Sequence, residues 1–349
     1  MLIVEIVLFT LGLLLLVKGS DIFVTTSVKI AKQLGVSEFV IGLTLVALGT
    51  SIPEVGTSIA ASLKHQGGIV LGNVLGSNIA NINLIMGIIA LRFILKTDRQ
   101  MLVRDGYIML CAALLFAIFI FNGVISRVEA FILLFLYGVY ILFIVETRSE
   151  RDRLFSFKDF VIYFFKFRYV RTTGKVLSQG TGAEANHDGE KPFLRGALLK
   201  NLGILLISTI AIWYGANLLV EGALFFANLL HIPDPVIGLS VVALGTSLPE
   251  LGVAFSAARK GLGNIVAGNI IGSNIANIFL IIGITGMIAP LSMTTASITL
   301  STAFMIFMTV LFLWFLRSRW QLERIEGIIL LLLYVIFLGY VFFAGRGMV

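Results

Sequence analysis

Runs of about twenty apolar residues, separated by short polar stretches, cover most of this chain. Ten such runs are legible: 2–33, 38–63, 68–91, 101–122, 127–147, 201–229, 235–258, 264–290, 295–316 and 325–344. None shows the ten-residue apolar/polar alternation of a membrane β-barrel, so the pattern predicts membrane-spanning helices. The first and sixth runs exceed what a bilayer requires and predict tilt or protrusion. The first lacks a basic leader, carries Glu5 and shows no small-residue cleavage site, so it reads as a span.

The polar residues inside the runs change the picture. "GTSIPE" (49–54) and "GTSLPE" (245–250) place a proline and a glutamate in mid-run. Pro53 lacks an N–H and clashes with the preceding turn, so the second run should break near 49–51. Ser51 with Glu54 three positions later also has capping-box spacing, a purely structural alternative. Against that stands cost: a carboxylate at mid-membrane costs about 3 kcal/mol or more unless it faces a protein interior, water or a cation. A broken helix also frees carbonyls, with Ala47 and Ala243 as candidates. Hard cations such as Na⁺ and Ca²⁺ take oxygen ligands, which Glu54, Thr50 and Ser51 supply from one half and Glu250, Thr246 and Ser247 from the other.

A second motif adds to the set. In "GNVLGSNIANI", Ser77 and Asn81 share a helix face, with Asn73 one turn earlier and Asn78 partly overlapping. The matching residues are Ser273, Asn277, Asn269 and Asn274. Interhelical hydrogen bonding with glycine-mediated packing is the structural alternative, and for Asn78 and Asn274 the two readings stand even. Asp21 and Glu221 either line an ion path or sit at solvated helix ends.

The motif pairs are parts of one repeat. Residues 42–64 align without a gap on 238–260 with 13 of 23 identities, and 72–87 on 268–283 with 12 of 16. The offset is 196 residues, or five runs. An odd number of crossings makes equivalent helices traverse in opposite directions, the inverted repeat of secondary transporters. The expected fold is therefore all-α: a polytopic membrane protein of ten transmembrane helices in two inverted five-helix repeats, 1–147 and 201–349, joined by a loop at 148–200.

Composition agrees, at 58% hydrophobic and 13% charged with mean hydropathy +1.02. With both termini outside, 22 of the 26 Lys and Arg residues lie inside, so the positive-inside rule places the 148–200 loop in the cytoplasm of a cell membrane. The net charge of +7 then needs no nucleic acid. The first part of the loop reads as a basic amphipathic helix on anionic membrane lipid, the second part as flexible linker. A lone cysteine, Cys111, rules out an intrachain disulfide. Three scattered histidines make no transition-metal site, no nucleophile–base set stands out, and no phosphate-binding loop is present. An enzyme, a resident cofactor and ATP-driven pumping are thus not expected. Oligomeric state is not encoded in these motifs; a monomer is consistent with them.

On the paired motifs "GTSIPE"/"GTSLPE" and "GNVLGSNIANI"/"GNIIGSNIANI", the chain resembles the sodium/calcium exchanger family of the cation/calcium antiporter superfamily. The resemblance implies ten helices, extracellular termini and ion sites between the second, third, seventh and eighth spans. It carries the acidic ligands onto Glu54 and Glu250. Supporting oxygens fall on Ala47, Thr50, Ser51, Ser77 and Asn81, and on Ala243, Thr246, Ser247, Ser273 and Asn277. It further implies that the first and sixth helices move as a unit, with Na⁺ and Ca²⁺ as transported ions. Many relatives have Asp at one of the positions matching Asn81 and Asn277. Two Asn here leave two formal charges, enough for one Ca²⁺ or two Na⁺, and weaken the case for potassium co-transport. Proton/calcium exchangers use a GN-x-x-E wording, so proton coupling is the second choice, and a cation channel a third reading.

Overall fold

The computed structural model describes residues 2–96, 99, 101–147, 155–173, 191–229, 245, 247–292 and 295–346. It is almost entirely helical. Helix α1 spans Leu2–Leu34. The second run is a broken helix: α2 (Glu38–Ile41), a π-helical stretch Gly42–Val46, α3 (Ala47–Thr50) and α4 (Ile52–Leu63). The third is α5 (Gly67–Ala80), a π stretch Asn81–Ile85 and α6 (Met86–Arg92). A π stretch Met101–Gly106 leads into α7 (Tyr107–Phe119), followed by α8 (Arg127–Thr147) and the short α9 (Phe157–Phe165).

The second half contains α10 (Lys191–Leu229) and α11 (Leu248–Arg259). Next come α12 (Gly263–Ala276), a π stretch Asn277–Ile281 and α13 (Ile282–Ile288). The chain ends in α14 (Thr295–Arg319) and α15 (Arg324–Arg346). Most expected boundaries hold within a few residues; α10 begins ten residues earlier than its apolar run, and 235–244 and 246 of the 235–258 run lie outside the described residues. Among the described residues, seven helices are long and apolar enough to cross a membrane, or eight if the pair bent by 46° at Ser51 counts as one. This is a multi-pass membrane protein.

The internal repeat recurs in the fold. Elements α4, α5, the π stretch after it and α6 reappear 196 residues later as α11, α12, the second π stretch and α13. These eight pieces form the centre. The apolar middle of Gly67–Arg92 is 78% buried and that of Gly263–Ile288 is 94% buried, whereas that of α1 is 28% buried. So α5–α6 and α12–α13 are the inner helices, and α1 presents its Leu, Ile and Val side chains outward as a lipid-facing helix does. Helices α1 and α10 pack backbone on backbone: a Cβ on Gly215 would stand 2.7 Å from the Leu16 nitrogen and 2.8 Å from the Gly12 carbonyl oxygen.

Two features leave no pattern in the sequence. Two-residue strands β1 (Leu95–Lys96), β2 (Val124–Ile125), β3 (Leu291–Ser292) and β4 (Gln321–Leu322) tie the halves together. β1 pairs antiparallel with β4 and β2 with β3, plugging Leu95, Leu322, Ile125 and Leu291 into the core. The other is a buried pair inside the fourth run: Arg104, one of the 22 basic residues assigned to the inner side, is buried at 2% exposure and donates to Asp105 Oδ2 at 2.9 Å. Tyr140 donates to the other Asp105 oxygen at 3.0 Å.

The first part of the 148–200 loop contains the short helix α9. A Ser156–Asp159 capping box starts it, as an amphipathic helix requires. Part of its aromatic face packs on α8, with Phe160 and Tyr163 5.4 and 5.3 Å from the Phe143 ring, while Phe165 and Phe167 remain exposed. Glu146 then clamps the following turn through Arg168 and Thr172. Of the expected flexible linker at 174–192, residues 174–190 lie outside the described residues, and Lys191 and Pro192 open α10.

Candidate cation site

The break in the second span has the geometry that Pro53 imposes. Ser51 sits between α3 and α4 at φ −83° and ψ 7°, with Pro53 in the first turn of α4. Two expectations fail here. The Ala47 carbonyl is not freed, because it still accepts from the Ser51 N–H at 3.1 Å and from Thr50 Oγ1 at 3.3 Å. Pro53 instead leaves the Gly49 carbonyl without its usual helical donor. The capping box is not formed either, since the Ser51 side chain makes no cap hydrogen bond.

That hydroxyl points across to the other half. Ser51 Oγ lies 3.2 Å from Glu250 Oε1 and 3.2 Å from Ser273 Oγ. Thr50 Oγ1 donates to Asn269 Oδ1 at 3.2 Å. Helix α11 opens in the same way, at Ser247 with φ −91° and ψ 2°, again with no side-chain cap. Ala243 and Thr246, the remaining expected ligands, lie outside the described residues. Ser77, Asn81, Ser273 and Asn277 all project into the same buried centre, none above 3% exposure.

A reciprocal amide arrangement joins the two halves. Asn81 Nδ2 donates to Asn274 Oδ1 at 3.1 Å, and Asn277 Nδ2 donates to Asn78 Oδ1 at 3.0 Å. Asn81 and Asn277 each open a π stretch. Such single-turn widenings re-aim side chains and concentrate at functional sites.

The electrostatics are unusual. Glu54 and Glu250 are each 1% exposed, and no ion pair among the described residues involves either. Glu54 Oε1 and Oε2, Ser77 Oγ, Ser247 Oγ, Glu250 Oε2, Asn81 Oδ1 and Asn277 Oδ1 are buried with no hydrogen-bond partner. All of these are oxygens; the one unpartnered nitrogen beside them among the described residues is Asn269 Nδ2. An unpaired buried carboxylate costs several kcal/mol, and each unsatisfied neutral oxygen about 1–3 kcal/mol. The two repeat-related clusters, each drawn from both halves, also differ in state: Ser51, Glu250 and Ser273 are hydrogen-bonded, whereas their repeat counterparts Ser247, Glu54 and Ser77 carry most of the orphans. Oxygen ligands of this kind suit a small hard cation.

Charged groups outside this centre resolve differently. Asp21 on α1 accepts from Ser256 Oγ at 2.5 Å and Arg259 Nη2 at 2.7 Å, while Lys260 Nζ donates to its backbone carbonyl at 2.7 Å. It is thus a latch between α1 and α11. The positions 196 residues away are Asn217, Ala60, Leu63 and Lys64, which cannot reproduce it. Asp21→Asn is expected to cost on the order of 1 kcal/mol, the scale of a partly exposed pair. The check is a melting temperature a few degrees lower in detergent, with the difference shrinking at high salt. Glu221 is exposed at the protein surface, as is His65. Among the described residues, no group of three or more His, Cys, Asp or Glu converges on a common point.

Comparison with known proteins agrees with this geometry. Residues 4–146 and 200–343 match the family described as sodium/calcium exchanger protein. The sodium/calcium exchanger MaX1 of Methanosarcina acetivorans is 48% identical, over 98% of this chain and all of its own length. The inner membrane protein YrbG of Escherichia coli is 35% identical, over 81% of this chain and 79% of its own. A solved structure of the sodium-calcium exchanger NCX_Mj, soaked with Na⁺ and Sr²⁺, superimposes with a TM-score of 0.77 at 33% identity, covering 97% of this chain and 99% of that one. The chain belongs to the sodium/calcium exchanger family.

Proposed function

We propose that this protein exchanges Na⁺ for Ca²⁺ across a cell membrane by alternating access, with ten helices in two inverted five-helix repeats. The observation that carries the reading is the set of buried, unpartnered oxygens around Glu54 and Glu250, two carboxylates with no protein cation among the described residues. Glu54, Glu250, Asn81, Asn277, Ser51, Ser77, Ser247 and Ser273 are the central ligands. Thr50 and Thr246 support them; the Ala47 carbonyl enters only as a shared acceptor, with Ala243 as its counterpart in the other half. The membership of the family and the name of the 48% identical relative support Na⁺ and Ca²⁺ as the ions.

The mechanism follows from charge. Na⁺ and Ca²⁺ compete for the same oxygens, so either loaded state closes around a neutralised pair. The empty pair repels itself in a low-dielectric site, which disfavours occlusion of the empty carrier and makes exchange obligatory. Helices α1 and α10, packed on each other along glycines and lipid-facing, move together across the ion-binding helices. The distribution of Lys and Arg supports termini outside and the 148–200 loop inside.

The test is ⁴⁵Ca²⁺ uptake into proteoliposomes with Na⁺, H⁺, K⁺ and Li⁺ gradients imposed separately. Uptake driven by an outward Na⁺ gradient, and by none of the others, is the expected result. Uptake with H⁺ alone would replace the coupling ion, and Ca²⁺ conduction without any counter-ion would replace exchange by a channel.

A further inference from the structure

The two asparagines left undecided by sequence, Asn78 and Asn274, occupy mirrored places in a three-residue chain. In one chain Asn274 Nδ2 lies 3.6 Å from the Met109 sulfur, while its Oδ1 accepts from Asn81 Nδ2 at 3.1 Å. In the other, Asn78 Nδ2 lies 3.6 Å from the Met305 sulfur and its Oδ1 accepts from Asn277 Nδ2 at 3.0 Å. Met109 and Met305 are themselves 196 residues apart, and all four amides and both methionines are fully buried.

A side-chain amide has a donor end and an acceptor end of nearly equal size, so its orientation depends on what it touches. A thioether sulfur has no proton to give and only accepts, weakly. The end of Asn274 facing Met109 is therefore its NH₂, and its oxygen faces Asn81. Asn81 in turn must present its own NH₂ to that oxygen. Its carbonyl oxygen is then left aimed into the site, where it has no partner. The same sequence of steps runs from Met305 through Asn78 to the unpartnered Asn277 Oδ1.

We infer that Asn78 and Asn274, backed by Met305 and Met109, are positioning residues that hold the carbonyl oxygens of Asn277 and Asn81 toward the cation and turn their NH₂ groups away. The inference rests on the reading of Asn81 and Asn277 as ligands. An inverted amide would point two N–H dipoles at the ion, so a site built on neutral amides needs this device. A carboxylate at 81 or 277 would not, since both of its ends are oxygens. Each orienting residue sits on the half opposite its ligand, so the ligands are set only when the halves are docked.

The test reads Ca²⁺ binding by the purified full chain, as the Ca²⁺-dependent shift of its melting temperature, and so does not depend on the counter-ion. Asn274→Leu is expected to weaken Ca²⁺ binding by about tenfold or more, the low end for groups that orient metal ligands. Asn81→Ala should weaken it at least as much. In the Asn81→Asp background, adding Asn274→Leu should cost less than half of that effect on a logarithmic scale. An equal cost in both backgrounds would reduce Asn274 to packing and overturn the inference, as would an unchanged affinity in Asn274→Leu. Loss of affinity in Asn274→Leu without any in Asn81→Ala would instead remove Asn81 from the ligands and the inference with it. Should Asn274→Leu fail to fold, Met109→Leu keeps the volume and removes the acceptor. It is expected to weaken binding about two- to threefold, and no change would overturn the assignment. If all of this holds and Na⁺ still drives no uptake, the exchange reading fails alone.

Discussion

Replacing Glu54 or Glu250 by Gln is expected to reduce Na⁺-driven ⁴⁵Ca²⁺ uptake to background. A unit-charge pair at about 4 Å and an effective dielectric of about 20 is worth on the order of 4 kcal/mol, and Ca²⁺ carries two charges. Loss of one carboxylate should therefore weaken Ca²⁺ binding about a thousandfold or more, at 1.4 kcal/mol per tenfold. Both variants should bind too weakly to sustain exchange. The same substitutions have an opposite effect on the ion-free protein. Each removes a buried charge that has no cation beside it, so the melting temperature without Na⁺ or Ca²⁺ should rise. The rise should be larger for Glu54→Gln, because both Glu54 oxygens lack a partner while Glu250 keeps Ser51. Uptake above a tenth of the unmutated rate in either variant would remove that carboxylate from the site. A fall in ion-free stability in both would show that the charges are compensated in a way this geometry lacks.

The second large effect is steric. Helix α12 approaches the broken span so closely that a Cβ on Gly272 would stand 2.4 Å from the Leu43 carbonyl oxygen and 2.8 Å from the Ala47 Cβ. Both obstacles are backbone or attached directly to it, so no rotamer change relieves them. Gly272→Val is expected to push α2–α3 off α12 and displace Ser51 from Glu250. Overpacking of this kind costs about 1–3 kcal/mol or more, and the readouts are a lowered melting temperature and loss of Ca²⁺ uptake. Gly138→Val on α8, where nothing lies within 4 Å, is the control and should behave as the unmutated protein. If Gly272→Val matched that control, the close packing of α12 on the broken span would not be a requirement of function.

How far the chain discloses its own fold tracks the range of the interactions involved. Span limits follow from apolar run length, and the break at Ser51 follows from the covalent structure of Pro53, so both are legible in the sequence. The 196-residue register makes Glu54 and Glu250 a pair on the strength of the repeat alone. The fate of the Ser51 hydroxyl is not legible. Capping spacing and cross-domain hydrogen bonding use the same atoms, and only the docked position of α12 shows that Glu250 and Ser273 are within reach. The orientation of Asn81 likewise depends on Met109, whose sulfur is one apolar position among many in the fourth run. The burial of Arg104 and Asp105 as a pair within the fourth run is not legible, because adjacent opposite charges carry no periodic signal. The two-residue strands are too short to alternate at all. That Phe160 and Tyr163 of α9 turn onto α8 is not legible either, because aromatic side chains suit an interface and a protein groove equally well.

The uncharged amides at 81 and 277 also decide how the protein meets voltage. With two carboxylates and no third acid among the described residues of the centre, the carrier loaded with one Ca²⁺ has no net charge there, and neither does the carrier loaded with two Na⁺. Neither crossing then involves electrical work. A third Na⁺ would make the loaded centre +1, and the membrane potential would contribute about 2.3 kcal/mol per 100 mV to its transfer across the full field. The slope of exchange rate against imposed voltage is therefore an ion count: flat for two sodium ions, steep for three.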